Sequence, residues 1–115
     1  MSRQAATVES HDSTAEVETR EKVLALEAAH LEHAIGKLKE VNSGLARLRD
    51  AAMVTLGETT RNDHAEVDHR YGHYLEYVFE HMKRCSDEAR RLEEQRQNVE
   101  TELHAVRQAR SLSCA

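Results

Sequence analysis

The chain has 115 residues, no proline or tryptophan, four glycines and a net charge of −5 with histidine neutral. Charged residues make up 32% of it, which suits long solvated helices or coiled coils and argues against sheet. Net charge is −3 over residues 1–19, +1 over 20–56 and −3 over 57–115, too little positive charge anywhere to hold a phosphate backbone, and the longest nearly apolar run, 51–56, falls far short of the roughly 20 residues that span a bilayer.

Residues 1–12 are polar and aperiodic, and read as a flexible N-terminal tail. No hydrophobic segment there resembles a secretory signal. Two cysteines do not make a disulfide framework, so a reducing, cytoplasmic setting is expected. The first helix, expected over about 13–56, opens on a capping-box pattern. Ser13 and Glu16 are spaced so that hydroxyl and carboxylate each satisfy an orphan backbone N–H. Its apolar ladder runs through Val17, Leu24, Leu31, Leu38, Leu45 and Ala52 by sevens, with Ala28 and Ile35 on the intervening seam positions.

Gly57 and the polar residues after it interrupt that ladder, and about 57–63 is expected to be the turn. The second helix, about 64–110, places Tyr71, Leu75, Val78, Met82, Cys85, Ala89, Leu92, Arg96, Val99, Leu103 and Val106 at alternating steps of four and three. That period is the signature of a helix packing along another helix. Residues 111–115 read as a C-terminal tail.

Phase decides between one rod and two arms. With the leucine row of the first helix labelled d, an unbroken count puts d at 66 and 73, whereas the second ladder has it at 71, 78, 85, 92, 99 and 106. A continuous helix would turn its seam away from any partner at this point. The expected fold is therefore all-α, a long antiparallel two-helix coiled-coil hairpin that completes a four-helix bundle by association. Folding about residue 60 sets facing positions to add to 120, which pairs large residues with small ones, Leu38 with Met82 and Leu31 with Ala89 among them. The hairpin core is expected from Leu24, Leu31, Ile35, Leu38, Leu45, Leu75, Val78, Met82, Cys85, Leu92, Val99 and Leu103.

Two helices leave any wider apolar stripe wet. In the turn-proximal half that stripe widens, with Val41 and Leu48 on one flank, Met53 on the other, and Tyr74 and Phe79 on the flanks of the second helix. These five residues are the expected partner interface, facing either a second copy or another helical coiled-coil protein. Beyond residue 84 the flanks are charged, with Glu80–Arg84 and Asp87–Arg91 expected as i,i+4 pairs.

Eight histidines stand out. His69 and His73, four apart on one helical face with Glu66 a turn earlier, are weak candidates for a metal site, since such imidazoles can meet on one ion. No HExxH, cysteine cluster or glycine-rich phosphate loop accompanies them, so neither a cofactor nor an enzyme is expected. A basic-zipper reading fails because the segment before Leu24 is acidic. In size and arrangement the chain resembles the Trp-x-Gly secretion family of helical hairpins, without that motif at its turn. It is similar to prefoldin-type chaperones and small tubulin-folding cofactors only in being a short acidic coiled coil. The function expected is a non-enzymatic scaffold or adaptor subunit in a cytoskeletal, trafficking or segregation complex. A small client-binding chaperone hairpin is the alternative, and a histidine-based metal-binding bundle a third.

Overall fold

In the computed structural model the backbone is described for residues 2–61 and 65–114, and side chains for 14–58 and 69–112. Two helices account for all of it, α1 over Ser2–Arg61 and α2 over Ala65–Cys114, as an antiparallel hairpin. With no proline in either segment, nothing removes a backbone donor or forces a kink. Both helices overrun the bounds expected from caps and turn residues. The side chains of the expected N-terminal tail and most of the C-terminal one lie outside the described residues, as do Asn62, Asp63 and His64 of the turn. Gly57 does not open the turn: it sits inside α1 with no left-handed backbone. A single mid-helix glycine costs about 1 kcal/mol relative to alanine, too little to stop a helix already packed on its neighbour.

The chain divides into two compact units, one of Met1–His33 with Glu93–Ala115, the other of Ala34–Leu92. In the first, Leu24, Val99 and Leu103 are buried together, with Ala25, Ala28, Leu31 and Val106 packed against them. In the second, Ile35, Ala52, Leu75 and Val78 are buried. The remaining expected core residues, Leu31, Leu38, Leu45, Met82, Cys85 and Leu92, are half-buried. Among the described residues only Val78, at 1% exposure, is sealed from water, as expected when each helix has one neighbour to pack against.

The helices are offset from the expected register. Leu24 meets Leu103, Glu21 is bonded to Arg107, and Asn42 is bonded to Ser86, pairs that add to 127 or 128 rather than 120. The displacement is one heptad. Because the ladder repeats every seven residues, sliding by seven keeps every a position opposite a d, and the apolar pattern alone accepts both alignments. Polar groups break the tie. Asn42, on an a position, donates from Nδ2 to Ser86 Oγ at 3.1 Å, whereas the 120 alignment would press it against Val78. α1 continues to Arg61, past the expected end at about 56.

Asn42 is incompletely satisfied, since among the described residues its buried Oδ1 has no hydrogen-bond partner. A lone seam asparagine lowers stability in return for one alignment. Asn42→Leu is therefore expected to raise stability by about 1–2 kcal/mol, read as a higher urea midpoint. The same variant should broaden amide NMR signals along the seam as alternative registers become populated.

Arg96 is the charged residue of the second ladder. It donates to Glu93 and, through Nη1 at 2.9 Å, to Glu100 on its own helix. These carboxylates hold its guanidinium pKa above the usual arginine value, Glu93 contributing most. On the charged surface the expected Asp87–Arg91 pair is replaced by i,i+3 partners: Arg91 takes Glu88, and Arg90 lies 3.8 Å from Asp87.

Candidate interaction surface

A seam of period 3.5 has a flank on either side, g and e, and in an antiparallel pair each flank meets its own kind. The g flank of the Ala34–Leu92 unit carries Val41, Leu48 and Tyr74, and its e flank Met53 and Phe79. All five are exposed, at 53% for Val41, 50% for Leu48, 52% for Met53, 39% for Tyr74 and 49% for Phe79. They are not buried within the hairpin, and they do not form one patch, because the heptad places them on opposite sides of the seam.

One part of the g flank is a formed groove. Leu48, Ala51, Ala52 and Thr55 of α1 line it with Arg70, Tyr71 and Tyr74 of α2. Ala52 is buried at the seam and Tyr71 is half-buried, and both line the groove. Thr55 returns its hydroxyl to the Ala51 carbonyl at 3.1 Å, so it presents mainly its methyl group. Among the described residues, Arg70 is the charged side chain that lines the groove. The resulting surface is apolar with two tyrosines, the composition that dominates contact energetics in protein interfaces.

Tyr77 belongs with this flank, although the seam-and-flank pattern did not select it. It is 60% exposed, one turn from Tyr74 on the outward c position, and its ring meets His81 edge-on at 4.4 Å between centroids. The clustering of all tyrosines in one short stretch was the available signal. Val54, at 62%, faces outward at f and adds to neither flank.

The unit containing both ends of the chain offers charge instead. Glu21, whose side chain is only 18% exposed, accepts from Arg110 and from Arg107 Nε, the latter at 3.2 Å, and Arg20 pairs with Glu102 across the seam. The Arg110 hydrogen bond contributes most to holding the Glu21 carboxyl below its ordinary value of 4.5; burial opposes it, and the Arg107 hydrogen bond and the charges of both arginines add to the lowering. A carboxyl lowered on folding stabilises the fold fully above its unfolded value and loses that contribution as pH falls through the lowered one. Melting temperature should therefore fall on going from pH 5 to pH 3, and Glu21→Gln should make that fall smaller in circular-dichroism melts.

His69 and His73 are brought together, their Nε2 atoms 3.2 Å apart. Glu66, the third member of the expected trio, lies outside the residues whose side chains are described. Among the described residues no group of three or more histidine, cysteine or acidic side chains is placed to hold an ion. Cys85 is a free, half-buried thiol on the seam. No protein-family model, curated protein or solved structure matches this chain. Among the described residues no helix is long and apolar enough to cross a membrane.

Proposed function

We propose that the chain is a non-enzymatic structural or adaptor subunit, a helical hairpin that assembles through its turn-proximal half with itself or with other helical coiled-coil proteins, in a cytoplasmic cytoskeletal, trafficking or segregation complex. The observation that carries this reading is the formed groove of Leu48, Ala52, Tyr71 and Tyr74 on a flank that the hairpin's own seam leaves open. A second copy is the occupant to test first, since the same flank on two hairpins aligns four helices around one apolar centre.

Magnitude sets the expected strength. Burying the exposed half of Val41, Leu48 and Tyr74 is worth about 1 kcal/mol each, hence about 6 kcal/mol from two copies. That gain is comparable with the lower part of the roughly 4–15 kcal/mol lost in rigid-body freedom on association, so the assembly is weak and concentration-dependent. Sedimentation equilibrium over about 1–100 μM should show the mass rising from 13.1 kDa towards a multiple of it. A constant 13.1 kDa, with suppression of a client's aggregation, would favour the chaperone alternative.

A further inference from the structure

The pair of histidines at the start of α2 is more than two solvated side chains. Residues four apart share a helical face, and here His69 and His73 turn their Nε2 atoms towards one point, 3.2 Å from each other, with the rings nearly perpendicular at 86°. Two imidazole nitrogens bound to one tetrahedral ion at 2.0–2.1 Å are separated by about 3.3 Å. The side chains therefore stand at chelating distance, joined by a hydrogen bond between the two Nε2 atoms whose proton an entering ion replaces.

A second feature lies on the far edge of one ring. Glu76 Oε2 is 3.9 Å from His73 Nδ1, longer than a hydrogen bond but close enough for a side-chain rotation to bring the carboxylate onto an Nδ1 proton. Metal-bound histidines are characteristically backed in this way. Both imidazoles and Glu76 are exposed to solvent, so an ion can enter without any rearrangement of the hairpin, and water can complete its coordination.

We propose that His69 and His73 form a two-imidazole chelate for a borderline divalent cation of the Zn²⁺ or Cu²⁺ type, oriented by Glu76. Nitrogen donors select such ions over Mg²⁺ and Ca²⁺, which require oxygen ligands. The bound ion clamps one turn of α2 beside the aromatic groove without contributing to the seam, so the site is independent of self-association.

Zinc titrated calorimetrically into the full chain, purified without a histidine tag at pH 7.5, should bind one ion per hairpin and raise the melting temperature, and Mg²⁺ should do neither. The His69→Asn/His73→Asn double variant, folded by circular dichroism, should lose at least tenfold in affinity, and each single variant nearly as much, because a chelate needs both nitrogens. His30→Asn should bind as the wild type does. Absence of binding to the wild type, or equal affinity in the double variant, would overturn the site.

Discussion

Leu48→Glu combined with Tyr74→Glu is expected to abolish self-association while leaving the hairpin folded. Both side chains line the groove and neither is buried, at 50% and 39% exposure, so the monomer loses little packing. In an assembled pair the same change places four carboxylates on one apolar centre. Desolvating an unpaired carboxylate costs several kcal/mol, so the four together exceed the whole gain of about 6 kcal/mol from burying the flank. Light scattering should return the mass of a single chain at every concentration, with helical ellipticity within a few per cent of wild type. The same substitution pattern on the other flank, Met53→Glu with Phe79→Glu, should weaken association far less, because the heptad puts those residues across the seam from the groove.

The second large effect is expected at Val78. Among the described residues it is the only side chain below 2% exposure, and it is one of the buried residues of the Ala34–Leu92 unit, as are Ile35, Ala52 and Leu75. Val78→Asp would take a carboxylate out of water at the most enclosed seam position described, opposite Arg49, whose Nε already donates to Asp50 at 3.0 Å, a cost of several kcal/mol against a total stability of about 5–15 kcal/mol for a small domain. Loss of cooperative melting is the expected outcome. Val78→Ala should retain the fold with a lower urea midpoint, consistent with a cost of about 2 kcal/mol. If Val78→Asp melted like the wild type, α2 would not be pressing this face onto α1.

The helices and their antiparallel pairing were legible because a seam repeats through each arm and its phase breaks between them. Register was not. A heptad ladder is degenerate to shifts of seven, and the choice rests on single polar contacts, Asn42 with Ser86 and Glu21 with Arg107 and Arg110, that periodicity does not weigh. Volume matching pointed the other way because layers such as Leu38 with Met82 look complementary in isolation. The start of the turn was misplaced for a related reason: Gly57 and its polar neighbours permit a turn without requiring one, and packing carried α1 past them. The apolar flanks were readable residue by residue, and their exposure agrees with their heptad positions. Their separation onto two sides, the inclusion of Tyr77 and the 3.2 Å approach of His69 and His73 depend on side-chain direction, which spacing alone constrains weakly.

Assembly through one flank of the turn-proximal half is tested most directly by position-resolved photo-crosslinking. A benzophenone amino acid replacing Tyr74 on the groove is compared with the same group replacing exposed His104 in the charged arm, each in the purified full chain. Irradiation should give crosslinked dimers in high yield from position 74, with little from position 104. Equal yields from the two positions, or no dimer from position 74 at concentrations where the chain associates, would contradict it.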